Sequence, residues 1–336
     1  MPQDVAVVGL DLAKRVFQVH AISADGAVMA KRRLRRSEVL PFFSSLPPCL
    51  VGMESCASAH HWGRELLALG HEVRLMPPAY VKPYVKRGKT DAADAEAICE
   101  AVTRPTMRFV AVKSREQQGV LMLHKARDLL VRQRTALINA LRAHLAEFGI
   151  VTATGPGGVK ALTTLLHDAQ DELPAHARTA LSSLVVHLDK LAAEIERLEA
   201  EIMVWHRSDD TSQRLSTIPG IGPITASAIA ASVPDPNQFR SGRQFAAWLG
   251  LTPRPNSSGG KERLGGISKQ GDGYLRRLLV VGATAVVRMV RRERRHQPWL
   301  ASLLERKTVR VATVGLANKP ARIAWAVMTR KEIYAA

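Results

Sequence analysis

Four acidic residues in the first third of the chain are spaced so that their carboxylates can gather around a cation. Asp11 and Glu54 each close a short apolar run, whereas Asp91 and Asp94 lie three residues apart at the start of a predicted helix and share one face of it. Neighbouring carboxylates repel one another unless a cation lies among them, and oxygen-rich sites suit Mg²⁺ or Mn²⁺. The set predicts a divalent-metal site that acts on a phosphodiester.

Each of these acids also has a structural explanation when it is taken alone. A helix N-terminus favours aspartate, so Asp91 by itself is more often a cap than a ligand. Asp11 is compatible with a turn, and Glu54 is compatible with an ion pair to an arginine such as Arg64. Only the four together favour a metal site over these structural roles.

A second group capable of chemistry lies in the polar loop of residues 253–261. There Ser257 and Ser258 stand directly before two glycines, which let a phosphate approach the backbone closely. Lys261 and Arg263 follow and can hold such a phosphate. A serine hydroxyl is a weak nucleophile until it is activated, and most serines in such loops only form turns. The residues alone therefore do not favour catalysis at this loop.

The elements expected to position the acids form an α/β layer that occupies residues 1–106. Apolar runs separated by turns predict the strand and helix order βββαβαβ, followed by one more helix. Arg104 and Pro105 close the region, because proline disfavours helical geometry in the residue before it. The predicted strands are 5–10, 16–22, 27–34, 50–53 and 73–76, and the predicted helices are 37–45, 60–69 and 91–102.

Two long helices are predicted for a helical coiled-coil region at residues 107–210. The first spans residues 115–147. The second carries apolar residues from 184 to 205 at successive spacings of 4, 3, 4, 3, 4 and 3, which is heptad spacing. An antiparallel hairpin within one chain and a zipper between two chains satisfy this pattern equally. A mostly helical domain is then predicted for residues 211–336.

The charge of the chain points to a polyanionic partner. It has 48 Lys and Arg against 30 Asp and Glu, a formal net charge of +18. Aromatic residues make up 5% of the chain and do not alternate with the basic clusters, which favours duplex DNA or folded RNA over single strands. The residues expected to contact nucleic acid are Lys86, Arg87, Lys89, Gly220, Gly222, Lys261, Arg263 and Lys269.

Gly220 and Gly222 belong to a turn that resembles the connector of a helix-hairpin-helix motif. The backbone amides of such a turn can grip a DNA phosphate without reading sequence. A glycine-rich connector between helices is equally common as plain structure. The turn therefore supports nucleic-acid binding only together with other features.

The three cysteines form no CxxC pair, so neither a zinc site nor a disulfide framework is indicated. No run reaches the roughly 18 uncharged apolar residues that span a bilayer, and the N-terminus lacks the layout of a signal peptide. These features predict a soluble, cytoplasmic protein. The length suits two or three domains.

Taken together, the motifs resemble those of the DEDD insertion-sequence transposases over nearly the whole chain. The first half contributes Gly9-Leu-Asp-Leu-Ala-Lys, the Glu54 strand end and Lys89-Thr-Asp-Ala-Ala-Asp-Ala. The second half contributes Ile218-Pro-Gly-Ile-Gly-Pro, Phe245-Ala-Ala-Trp-Leu-Gly-Leu-Thr-Pro, Asn256-Ser-Ser-Gly-Gly-Lys and Ile267-Ser-Lys. The resemblance implies an α/β plus α protein with an RNase H-like (RuvC-like) N-terminal domain, a coiled-coil insertion and a helical transposase domain.

The resemblance also implies a function: excision and insertion of a mobile DNA element. It implies that Asp11, Glu54, Asp91 and Asp94 bind Mg²⁺ and that a C-terminal serine attacks DNA to form a covalent phosphoserine intermediate. A serine before a small residue and the glycines indicates Ser257, whereas the spacing to Ile267 also permits Ser258. In characterised relatives a structured bridge RNA selects the DNA sequences.

Two other functions remain compatible with the residues. A Holliday-junction resolvase or related nuclease would use metal-activated water and need no serine. A non-enzymatic scaffold would bind nucleic acid through its basic faces, although four clustered acids would weaken that binding.

A homo-oligomer, dimer or tetramer, is expected from the heptad pattern and from the need to join four DNA ends.

Overall fold

The computed structural model describes residues 4–86, 90–151, 164, 173–261, 263–293 and 298–335. The chain divides into two compact units. The first comprises residues 1–118 with 232–240, and the second comprises residues 119–231 with 241–336. Each unit is described by itself below.

The first unit is built on a mixed five-stranded sheet. The strand order is β3-β2-β1-β4-β5, in which β2 is antiparallel to both of its neighbours and β4 and β5 run parallel to β1. The parallel strands end at one edge, so residues at their carboxyl ends become neighbours. The strands are β1 Val7–Asp11, β2 Val16–Ile22, β3 Val28–Arg35, β4 Leu50–Glu54 and β5 Glu72–Met76.

Helices cover this sheet because its central strands are apolar on both faces. Alternate residues of β1 and β4, among them Leu10 and Met53, are buried in one apolar cluster together with Phe17 and Phe43. A second apolar cluster, centred on Ile98, lies at the other face. The helices are α1 Val39–Ser44, α2 Ala59–Ala68, α3 Pro78–Val81 and α4 Asp91–Val102.

The predicted elements of this unit are confirmed with small shifts at their ends. The strand at 16–22 and the helix at 91–102 have the predicted bounds. The strands β1 and β4 each run one residue further than predicted, so Asp11 and Glu54 are their last residues. The helix predicted at 37–45 is a 3₁₀ turn at Arg36–Glu38 followed by α1. This mixed α/β topology is consistent with an RNase H-like transposase domain.

The second unit is almost entirely helical. Among its described residues, the one sheet is a hairpin of two short antiparallel strands, β6 Pro253–Pro255 and β7 Leu264–Ile267. Within the described ranges, no helix combines the length and the apolarity needed to cross a bilayer. The helices are α5 Arg115–Ala146, α6 Ala175–Ser208, α7 Asp210–Ser216, α8 Pro223–Ser232, α9 Gly242–Trp248, α10 Gly273–Glu293, α11 Pro298–Arg306 and α12 Val309–Arg330.

The heptad seam of α6 packs on α5 of the same chain. Leu141 and Leu145 of α5 share one buried cluster with Leu181 and Leu188 of α6. Near the other end of the pair, the Arg127 guanidinium lies 2.6 Å from the Glu199 carboxylate. The two helices therefore run antiparallel as a hairpin. Of the two arrangements open to the sequence, the structure shows the one within a single chain, so the seam gives no separate support for a dimer.

Candidate metal centre and serine hairpin

Two glycines allow α4 to lie close against the sheet. Gly9 of β1 and Gly52 of β4 are paired neighbours in the parallel register. A Cβ at Gly9 would lie 2.5 Å from the backbone nitrogen of Cys99, and a Cβ at Gly52 would lie 2.8 Å from the Cβ of Val102. Neither position has room for a side chain, because ordinary van der Waals contact of a Cβ begins at about 3.4 Å. The glycines thereby fix how near α4 comes to the strand ends.

This close packing brings three of the four predicted acids together. Asp11 ends β1, and Asp91 and Asp94 occupy the first turn of α4. One carboxylate oxygen from each of the three lies within 4.8 Å of the others. Glu54 ends the adjacent strand β4 and lies near enough for Asp11 and Asp94 to act on it electrostatically, but it is outside this tight group.

Burial and mutual repulsion make Asp11 hard to ionise. Burial is the main cause that raises its pKa from 3.8 to about 6, and the negative charges of Asp94 and Asp91 raise it further. The pKa of Glu54 is raised as well, first by burial and then by the charges of Asp11 and Asp94. A strongly perturbed carboxylate among other carboxylates is a frequent mark of a functional site.

The structural roles that the sequence allowed for Asp91 and Glu54 are not seen in the described residues. Thr90 caps α4 by accepting a hydrogen bond from the backbone N–H of Ala93, so Asp91 is not the cap. Arg64 donates to the carbonyl of Lys113 rather than to Glu54. None of the ion pairs in the described part of the chain involves any of the four acids. The all-oxygen donor set therefore fits a hard divalent cation.

Sequence reasoning did not single out the residues that support the metal centre. Thr90 precedes the helix as N-cap residues commonly do, so its signal was present in the sequence. Gly9 and Gly52 stand inside strands, where glycine often marks the close approach of another backbone. Their pairing with α4 only becomes visible once the helix lies on the sheet.

Ser257 and Ser258 lie at the tip of the β6–β7 hairpin in the second unit. The turn of residues 258–261 is closed by a hydrogen bond from the Lys261 N–H to the Ser258 carbonyl, 3.1 Å long. Gly259 and Gly260 adopt left-handed φ angles of 56° and 76°, which side-chain-bearing residues rarely take. Both serines are exposed. Their hydroxyls differ, because Ser257 Oγ accepts the N–H of Arg263 at 3.1 Å.

The base of the hairpin is held firmly by tight backbone packing. A Cβ at Gly250 would lie 2.6 Å from the nitrogen of Gln270, so no side chain fits there. Arg276 of α10 donates to the carbonyls of Leu249 at 2.9 Å and Gln270 at 2.8 Å. Lys269 is exposed and takes a left-handed φ of 56° in the same segment. The tip is therefore exposed, whereas the base of the hairpin is tightly packed.

The two glycines of the turn between α7 and α8 differ in their surroundings. Ile221 donates to the Ile218 carbonyl at 2.9 Å, and Gly220 has a φ of 88°, as the third position of such a turn requires. Gly282 of α10 packs directly on Gly220 and leaves no room for a side chain. Gly222 is exposed, and a Cβ added there would meet none of the described residues. Packing thus explains Gly220, and Gly222 is the accessible one.

The other residues expected to contact nucleic acid are distributed over both units. In the first unit, Lys86 is exposed and lies 2.6 Å from the Glu96 carboxylate. Arg87 and Lys89 lie outside the described residues. Lys261 and Arg263 are exposed on the serine hairpin.

Two transposase families match the chain in the regions just described. A family described as "Transposase", of the DEDD IS110 type, matches residues 8–150, and the "Transposase IS116/IS110/IS902 family" matches residues 212–299. The chain is 53% identical to a "Probable family 20 transposase" of Pseudomonas aeruginosa over 97% of its length and 98% of the relative's. This chain belongs to the IS110/IS116/IS902 family of DEDD transposases.

Two further relatives of the transposase are named after mobile elements. It is 42% identical to the "Transposase for insertion sequence element IS1328" of Yersinia enterocolitica, over 98% of this chain and 99% of that one. It is 41% identical to the "Transposase for insertion sequence element IS1111A" of Coxiella burnetii, over 99% and 92%. The transposase is accordingly an enzyme of DNA transposition that cleaves and rejoins DNA strands.

Proposed function

We propose that this transposase excises and inserts its element through a serine nucleophile on the β6–β7 hairpin and a divalent-metal centre at Asp11, Glu54, Asp91 and Asp94. The observation that carries the proposal is the convergence of three carboxylates that have no cationic partner in the described part of the chain. The reaction takes place on double-stranded DNA of the element ends and target.

The four acids are the proposed ligands of Mg²⁺, or of Mn²⁺ in its place. Asp11, Asp91 and Asp94 offer oxygens that already lie together, and Glu54 offers one more from the neighbouring strand end. Bound divalent cations would stabilise the negative charge that develops on a phosphodiester in an in-line displacement. The protein residues contribute by holding these oxygens at the strand ends and at the start of α4, where backbone packing limits their movement.

The proposed nucleophile is one of the two hairpin serines, and their geometry differs in a useful way. The Ser257 hydroxyl accepts a backbone N–H, which ties it into the hairpin. Ser258 opens the turn beside Gly259 and Gly260, where an added Cβ would meet none of the described residues, so a phosphate can approach the backbone closely there. This difference supports Ser258 as the attacking residue and Ser257 as the residue that shapes the turn.

The proposed covalent step conserves the energy of the phosphodiester. The serine Oγ forms a bond to phosphorus and gives up its proton, the bond from phosphorus to the DNA 3′-oxygen breaks, and that oxygen leaves as a hydroxyl. The product is a 5′-phosphoserine ester. Attack of a different 3′-hydroxyl on this ester reverses the step, which joins strands without ATP.

Several further features belong to the same proposal. A structured bridge RNA guides the choice of DNA, and Lys86, Gly222, Lys261 and Lys269 contact nucleic acid, as do Arg87, Lys89 and Arg263. A homo-oligomer brings the DNA ends together. The functional division is a catalytic domain at 1–106, a helical region at 107–210 and a transposase domain at 211–336.

The test is a search for a protein–DNA adduct that survives denaturation. Purified protein, Mg²⁺ and end-labelled element-junction DNA are incubated with and without RNA from the element's flanks. We expect an adduct that disappears in Ser258→Ala, persists at a reduced level in Ser257→Ala, and is absent in Asp94→Asn. Protein-free nicks that persist in both serine variants would instead indicate a nuclease that uses water.

A further inference from the structure

A long groove of about 1430 Å³ opens in the second unit beside the serine hairpin. Strands β6 and β7, the start of α9, the helix α11 and one face of α12 form its walls. Along α12, Arg310, Val314, Asn318 and Arg322 follow one another at intervals of four residues and make a continuous row. Small-molecule sites reach only about 1000 Å³, so the size favours a polymer over a metabolite.

Among the described residues that line the groove, every charged side chain is a cation and none is an acid. Arg243, Arg310, Lys319 and Arg322 are its charged residues, and all four are exposed. In the described ranges, none of the four forms an ion pair with a carboxylate. Four uncompensated positive charges along one channel are the electrostatic complement of a phosphate backbone.

An aromatic ring lies among these cations. Trp299 is 47% exposed, although large aromatic residues usually become buried. The Lys319 ammonium lies 5.3 Å from the centre of this ring. A cation beside an exposed indole can bind both parts of a nucleotide. The base can stack on the ring while the phosphate pairs with the ammonium.

The wall formed by β7 exposes its backbone rather than its side chains. Gly265 and Gly266 both line the groove although successive residues of a strand face opposite sides. Glycine inside a strand commonly marks a place where a ligand approaches the backbone closely. A nucleic-acid strand can therefore pass directly along the edge of the hairpin that ends in Ser258.

We infer that this groove binds one strand of the DNA substrate, with phosphates on Arg243, Arg310 and Arg322 and a base on Trp299. The binding follows from the charge and shape of the groove in a DNA transposase. Its place in the reaction rests on the proposed serine mechanism. The chain from Pro253, which lines the groove, to Ser258 spans at most about 17 Å when extended. The serine therefore lies within roughly five nucleotides, at about 3.4 Å each, of a strand bound in the groove.

The experiment measures DNA binding without chemistry. Fluorescence anisotropy in EDTA compares the wild-type protein with Trp299→Ala, Trp299→Phe and the Arg310→Gln/Arg322→Gln double variant. The matched control is Arg330→Gln, which removes an exposed arginine from the same helix outside the groove. The probes are element-junction duplexes with and without a single-stranded tail, and an RNA of the tail sequence. Because no strand is cut in EDTA, failure of the serine mechanism cannot alter these affinities.

We expect Trp299→Ala to weaken binding of the tailed DNA between about 5- and 150-fold, the range for loss of one base-stacking side chain. Trp299→Phe should recover most of the affinity. The double arginine variant should reduce the salt dependence of log K by roughly 1.4 to 1.8, for two lost phosphate contacts. Arg330→Gln should stay within twofold of wild type.

Three outcomes would overturn the inference. If Trp299→Ala leaves the affinity for tailed DNA unchanged, the groove does not bind the strand. If only the affinity for RNA falls, the groove binds the guide RNA and not the DNA strand. If DNA affinity is retained and mass photometry shows that the variants lose subunits, the groove is an interface between copies of the chain.

Discussion

Replacing Gly9 by alanine tests whether the closeness of α4 to the sheet is what assembles the metal centre. The new Cβ would lie 2.5 Å from the Cys99 nitrogen and closer still to the Ala95 carbonyl oxygen. Both are backbone atoms of α4, so the conflict cannot be relieved by a side-chain rotation. Ordinary contact requires about 3.4 Å, so helix and strand must separate by at least about 0.9 Å. Overpacking of this kind costs about 1–3 kcal/mol.

The separation carries Asp91 and Asp94 away from Asp11. Because a misplacement of about 1 Å at a reactive site can reduce the rate roughly 100-fold, we expect DNA cleavage to fall by that order. Mn²⁺ affinity, measured by electron paramagnetic resonance, should fall in parallel. The control is Gly119→Ala, a glycine in α5 with open space around it. Cleavage and Mn²⁺ binding within twofold of wild type in Gly9→Ala would refute the reasoning.

Three further predictions concern protonation, a buried network and the serine turn. The raised pKa of Asp11, about 6 against 3.8, means that the folded metal-free protein holds this proton more tightly than the unfolded chain. Its stability in EDTA should therefore fall as the pH rises from about 4 to about 6, and Asp11→Asn should flatten that slope in urea titrations. His124 is fully buried and contacts the Tyr274 hydroxyl at 3.0 Å and the Ser227 hydroxyl at 3.2 Å. His124→Leu should lower the free energy of unfolding by about 1–3 kcal/mol, because two buried hydrogen bonds are lost at about 0.5–1.5 kcal/mol each, whereas no change in urea unfolding would contradict this. Gly260→Val should reduce adduct formation with little loss of DNA affinity, since its φ of 76° disfavours β-branched residues; equal adduct yields would count against the turn.

Much of the first unit follows from local sequence signals. Alternating apolar residues and glycine-containing turns predict the strands, and the acids at their ends follow from the same pattern. The bounds of α4 were predictable because its first turn carries acids and Arg104-Pro105 follows its end. The ends of β1 and β4 were displaced by one residue, since a polar residue can continue a strand when the register with its neighbour is maintained, as it is between Asp11 and Gln18 and between Glu54 and Met76.

By itself, the sequence determined the family, the order of elements, the set of acids and the presence of a serine loop, because these depend on residue types and on spacing along the chain. Only the tertiary structure decided which acids meet, because the distance from Asp11 to α4 depends on packing at Gly9. It also decided that the heptad seam of α6 packs on α5 of the same chain. The sequence could not decide this, because α5 and a second copy of α6 would each offer the seam an apolar face. The groove around Trp299 combines residues from five separate elements, and spacing along the chain carries no signal for such a surface.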